Sequence, residues 1–191
     1  MHANAAKLSK FLSYILRHKP DSIGLVLDSQ GWASIDELIA KSDVAGTAFN
    51  REQLLEVVST NDKKRFSISA DGQRIRAAQG HSVTVDLDLP PQAPPAVLYH
   101  GTATQFIESI CATGLTAQNR QQVHLSADEK TAHRVGQRHG TPIVLTVDAA
   151  RMYANGFAFF LADNGVWLTE RVPPEFLTIP IGEADAVATT I

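Results

Sequence analysis

Arg17-His18-Lys19-Pro20 places a guanidinium and an imidazole on consecutive residues. Held side by side, the two can bind a phosphate and move a proton near neutral pH. The same residues close an apolar-periodic segment, where cations complement the carbonyl end of a helix, so capping is the competing explanation. Lys63-Lys64-Arg65 forms a second basic cluster, and alternation puts Arg65 on the face opposite Phe66 and Ile68. Such a cluster is either a solvated face or a phosphate contact. His133, Arg134, Arg138 and His139 make a third basic run around Gly136, which on spacing alone is a solvated helix end.

His100-Gly101-Thr102 follows a predicted strand and leads into a helix. Glycine permits close backbone approach to a ligand, and His and Thr offer hydrogen bonds to sugar hydroxyls, though a simple turn has the same composition. Val123-His124-Leu125-Ser126 alternates, which puts His124 and Ser126 on one strand face, either lining a pocket or facing water. No Gly-x-Gly-x-x-Gly follows a strand and no Gly-Lys-Ser/Thr loop exists, so neither a dinucleotide fold of that kind nor a P-loop is supported. The His and carboxylate residues make no recognised metal motif, and Cys111 is the single cysteine. A disulfide framework and a cysteine zinc site are excluded, and no metal is expected.

These residues need elements to position them. Leu8, Phe11, Leu12 and Ile15 recur at helical spacing in a helix that Pro20 must end. Ser34 with Glu37, and Asn50 with Gln53, read as capping boxes opening two further helices. Phe66 and Ile68 alternate with polar residues, and Asp71-Gly72 turns the chain toward Arg74-Ile75-Arg76. Helices followed by a hairpin with basic residues on it form the pattern of a winged-helix module. Beyond it, strands are expected at Val97–His100, Val123–Ser126, Ile143–Val147, Gly156–Ala162, Val166–Thr169 and Leu177–Ile181, with short helices around Thr104–Thr113 and Ala127–Val135. Strands clustered without regular helical crossovers make this an α+β protein. Four prolines between Pro90 and Pro95 favour extended backbone. They divide the chain into residues 1–85, a linker at 86–96 and a second lobe at 97–191.

The chain has 191 residues, 44% hydrophobic and 19% charged, which are globular values. No apolar run approaches the roughly 18 residues of a membrane helix, and Met1–Pro20 does not resemble a signal peptide. The expectation is a soluble cytoplasmic protein with no membrane contact and no obligate protein partner. The net charge of −3 hides an asymmetry: residues 1–85 carry 11 Lys and Arg against 9 Asp and Glu, and residues 86–191 carry 6 against 11.

Taken together, in order and across both lobes, these segments resemble the RNA 2′-phosphotransferases, NAD-dependent enzymes known for removing the splice-junction 2′-phosphate from tRNA. Leu8-Ser9-Lys10-Phe11-Leu12, Leu16 to Pro20, Gly31-Trp32, Lys63 to Phe66, Leu98 to Thr102, Val123 to Ser126, Val135 to Gly140 and Gly165 to Thr169 carry the likeness. The resemblance implies a winged-helix lobe joined to an ADP-ribosyltransferase-like lobe, with RNA bearing a 2′-phosphate and NAD as partners. It implies Arg17, His18, Arg65 and Arg138 as catalytic residues. His100, Gly101, Thr102, His124 and Ser126 fall at its positions around the NAD ribose and diphosphate. Protein ADP-ribosyltransferases usually carry a Glu where Gly165-Val166-Trp167-Leu168 is apolar here, which favours an already anionic phosphate as acceptor; Glu170, close by, keeps ADP-ribosylation of protein or nucleic-acid ends as an alternative. A winged-helix nucleic-acid-binding regulator is the other. Against it, the Asn50–Thr60 helix carries only Arg51 as a cation.

Overall fold

The computed structural model describes residues 3–180. They form two compact units, each with its own core. The first contains the residues up to Leu89 together with Gln118–Gln121 and Ala162–Asn164; the second contains Pro90–Ala117, Gln122–Leu161 and the residues from Gly165 onward. None of the described helices is long and apolar enough to cross a membrane.

The first unit opens with α1 (Ala3–Arg17), which buries Leu8, Leu12, Ile15 and Leu16. It ends where predicted: the Tyr14 carbonyl accepts from both His18 N and Lys19 N, and Pro20 starts a 3-10 turn. Strand β1 (Ala33–Ser34) leads into α2 (Ile35–Val44), and α3 is Arg51–Ser59. At α3 the capping box is complete, with Asn50 and Gln53 bonding reciprocally. At α2 only half of it forms. The Ser34 hydroxyl accepts from Glu37 N, while the Glu37 carboxylate pairs with Lys41 one turn on. The hairpin follows as β2 (Phe66–Ile68) and β3 (Arg74–Ala77), and β1 adds to it in the antiparallel order β1-β3-β2.

In the second unit β4 (Val97–Ala103) is longer than the expected Val97–His100, so His100, Gly101 and Thr102 lie within a strand and not at its end. A 3-10 turn at Thr104–Phe106 precedes α4 (Ile107–Thr113). Then come β5 (Val123–Leu125), α5 (Glu129–Gly136), β6 (Pro142–Asp148), α6 (Ala149–Ala154), β7 (Phe160–Leu161), β8 (Trp167–Thr169) and β9 (Leu177–Thr178). All ladders are antiparallel, in the orders β4-β6-β9 and β5-β8-β7. The mixture of small sheets and helices is α+β. Two further expectations are corrected. The apolar run Gly156–Ala162 is strand only at Phe160–Leu161, because Gly156, at φ +86°, closes the unforeseen α6, and Phe159 is core. The last strand stops at Thr178; Ile181, its expected end, lies outside the described residues.

Candidate functional site

The first unit gathers cations around the end of α1. Arg17 is half-buried, and its Nη2 lies 3.5 Å from the Arg65 carbonyl oxygen. Its Nε is buried with no hydrogen-bond partner. Burial, then the positive charges of Arg65 and Arg120, push its pKa down to about 10, so it still carries its proton at neutral pH. Arg65 Nη1 is held 3.3 Å from Asn61 Oδ1, and buried Asn61 donates to Ser9 Oγ of α1 at 3.0 Å. The Lys63–Arg65 segment is thus anchored to the helix that carries Arg17.

The stretch after β3 holds the other side of this cluster. Ser82 N donates to the Arg17 carbonyl at 2.9 Å, and Ser82 Oγ lies 3.0 Å from His18 Nδ1. The His18 side chain stays at the surface; desolvation of its ring, then Arg17 and Arg120, hold its pKa below 6.5. His81 is 3% exposed, and its Nε2 has no partner. Burial, then Arg17, His18 and Arg76, push its pKa from 6.5 down to about 4.

That shift has a measurable consequence. An unfolded chain restores His81 to its ordinary value, so between pH 6.5 and about 4 the unfolded state takes up a proton that the folded state excludes. Stability is therefore full above this window and falls as pH drops through it, by about 3 kcal/mol at the bottom. Urea unfolding of His81→Asn should show a flatter pH dependence than the natural chain; parallel curves would refute the assignment.

The hairpin arginines are committed elsewhere. Arg74 and Arg76 stack on Trp32, with guanidinium carbons 5.5 and 4.6 Å from the ring centroid. Arg74 also pairs with Asp28 at 3.4 Å and Arg76 with Asp163 at 3.7 Å. These cations fasten the hairpin to its own unit.

In the second unit β4 and β5 meet at Tyr99 and Ser126, whose backbones exchange two hydrogen bonds of 2.8 Å. This brings together His100, His124 and Ser126, all half-buried. His100 Nδ1 lies 3.1 Å from the His124 carbonyl. A carbonyl only accepts, so Nδ1 carries the hydrogen of this bond. Gly101 is buried under α5: a Cβ there would stand 1.7 Å from the Ala132 carbonyl oxygen. What comes close to this glycine is a helix. Thr102, expected to offer its hydroxyl, is 6% exposed.

Of the expected catalytic residues, then, Arg17, His18 and Arg65 are neighbours. Arg138 is exposed in the second unit, just past α5. The third guanidinium beside Arg17 and His18 is Arg120, from the 118–121 segment, which the sequence reading missed.

Residues 3–171 match the family model described as RNA 2′-phosphotransferase, Tpt1 / KptA family. The chain belongs to the RNA 2′-phosphotransferase family. Its relatives include a probable RNA 2′-phosphotransferase of Agrobacterium fabrum, 62% identical over 171 residues, 90% of this chain and 92% of the other. Another, from Burkholderia pseudomallei, is 52% identical over 176 residues, 92% of this chain and 96% of the other. A third, from Pectobacterium carotovorum, is 58% identical over 173 residues, 90% of this chain and 93% of the other. This family member is accordingly a transferase.

Proposed function

We propose that the protein removes an internal 2′-phosphate from RNA with NAD as co-substrate. The observation that carries this reading is the cation cluster of the first unit. Every charge that moves the Arg17 pKa is positive. Like charges packed around a half-buried guanidinium repel one another, and a multiply charged anion relieves that repulsion. A phosphate monoester on a ribose fits, and Arg17, Arg65 and Arg120 supply the fork-shaped donors for it. The winged-helix reading of this unit is supported by its order, α1-β1-α2-α3-β2-β3.

The second unit is proposed to be an ADP-ribosyltransferase-like lobe that holds NAD. His100, His124 and Ser126 fit as partly open hydrogen-bonding groups for ribose and diphosphate, and Gly101 and Thr102 fix β4 beneath α5. Bound NAD supplies a transferable ADP-ribosyl group. In the proposed sequence the RNA 2′-phosphate attacks the anomeric carbon and nicotinamide leaves. The adjacent 2″-hydroxyl then attacks phosphorus, freeing RNA with a 2′-hydroxyl and ADP-ribose 1″,2″-cyclic phosphate. The guanidiniums stabilise the charge that builds on the phosphoryl oxygens. His18 moves the proton: the Ser82 hydroxyl donates to the Arg17 carbonyl and receives His18 Nδ1–H, so Nε2 is the working nitrogen. Arg138, expected in this set from the resemblance, is the alternative to Arg120 as third guanidinium.

An oligoribonucleotide with one internal 2′-phosphate, incubated with and without NAD, tests the reading. Loss of the phosphate only with NAD, with ADP-ribose cyclic phosphate formed, is the expected result. Label from NAD that accumulates on protein or on RNA ends, with the 2′-phosphate intact, would replace it with an ADP-ribosyltransferase.

A further inference from the structure

The solvent face of α1 has a composition that the phosphate cluster does not explain. Successive helical residues turn by about 100°, so Lys7, Lys10, Tyr14, Arg17 and His18 fall within one arc of about 100°, opposite buried Leu8, Leu12 and Leu16. The arc contains three cations, a histidine and a tyrosine. The first 20 residues of the chain contain no Asp or Glu at all. Among the described residues, neither Lys7 nor Lys10 has a carboxylate within ion-pair distance, whereas Lys41, Arg51, Arg74 and Arg76 of the same unit are each paired. Tyr14 stands in the middle of the arc with 51% of its surface exposed. Its carbonyl holds the helix end, so its ring is free of that duty.

An exposed ring between cations, on a helix that ends in a phosphate-binding pair, matches what a single nucleic-acid strand requires: charge along the backbone and a flat platform for a base. Lys7 to Arg17 spans about 15 Å along the axis, room for more than one nucleotide. The wing offers no rival track, because Arg74 and Arg76 are occupied by Trp32, Asp28 and Asp163.

We infer that the Lys7–Lys10–Tyr14 face of α1 binds the single-stranded RNA that flanks the 2′-phosphate, with a base stacked on Tyr14 and backbone phosphates on the two lysines. The inference rests on the reading that Arg17, His18, Arg65 and Arg120 take the 2′-phosphate. It assigns substrate recognition beyond the phosphate to a surface that performs no chemistry.

Fluorescence anisotropy with the full chain, in the absence of NAD, tests it. One probe is an oligoribonucleotide with an internal 2′-phosphate and several nucleotides on each side; the other is a dinucleotide bearing the same phosphate. Tyr14→Ala should weaken binding of the long probe about ten-fold and leave the dinucleotide unchanged, and Tyr14→Phe should restore the loss. Lys10→Ala should reduce the slope of log affinity against log salt by about 0.7 for the long probe. Tyr14→Ala that binds the long probe like the natural chain, or that weakens both probes equally, overturns the inference. A natural chain that binds the long probe equally with and without its 2′-phosphate overturns the phosphate reading instead. The Tyr14 comparison on that strand then still decides the role of the α1 face.

Discussion

Arg65→Ala is expected to slow release of phosphate-free RNA by about 10²–10³-fold, the usual cost of deleting one preorganised donor at a charge-developing centre. The variant is a useful probe because the backbone bonds of Arg65 do not depend on its side chain. Its carbonyl accepts from Ala78 N at 2.8 Å and from Arg17 Nη2 at 3.5 Å, and both bonds survive the substitution. The substitution removes one guanidinium, and with it the contact to Asn61. If that charge serves the attack on phosphorus, nicotinamide release suffers less than RNA release, and ADP-ribosylated RNA accumulates. Following nicotinamide and RNA in one reaction separates the two steps. Equal loss of both, or no loss, counts against the clamp. Arg120→Ala should fall in the same direction, since Arg120 acts on both Arg17 and His18. If Arg138→Ala is impaired and Arg120→Ala is not, the third guanidinium belongs where the resemblance placed it.

The contrast between these two arginines shows what local pattern can carry. Arg17, His18 and the end of α1 were legible because a helix written in apolar spacing and stopped by proline fixes what lies on its last turn. Asn50 and Gln53 were legible for the same reason. Arg120 sits in Gln118-Asn119-Arg120-Gln121, a polar run with no periodicity, between elements of the second unit. It joins the first unit only through long-range packing, which no window of sequence encodes. The hairpin arginines show the same dependence on distant residues. Arg74 and Arg76 have the composition of a nucleic-acid contact, but Trp32, more than 40 residues earlier in the chain, takes both. The Gly156–Ala162 run misled because apolar residues without alternation mark burial and leave the element undecided. Ser82 and His81 had no signal of their own until the chain after β3 was seen to return to the end of α1.

The second large effect is expected at Gly101, which packs against the backbone of a helix. Gly101→Ala should unfold or loosen the second unit, at a cost of about 3 kcal/mol or more. A Cβ at Gly101 would stand 1.7 Å from the Ala132 carbonyl oxygen, 2.5 Å from its carbon and 3.0 Å from Gly136 N. All three are backbone atoms of α5, so no side chain can swing aside, and the helix itself must retreat from β4. The contact is reciprocal: a Cβ at Gly136 would lie 2.5 Å from the Thr102 carbonyl oxygen, so Gly136→Ala should fail in the same way. Gly165 provides the control. Its φ is +79° with nothing within 4 Å of an added Cβ, and Gly165→Ala should cost only the backbone strain, about 1 kcal/mol. Thermal unfolding of the three variants separates packing from strain. A Gly101→Ala protein that melts with the natural chain would show that α5 can move off β4 freely.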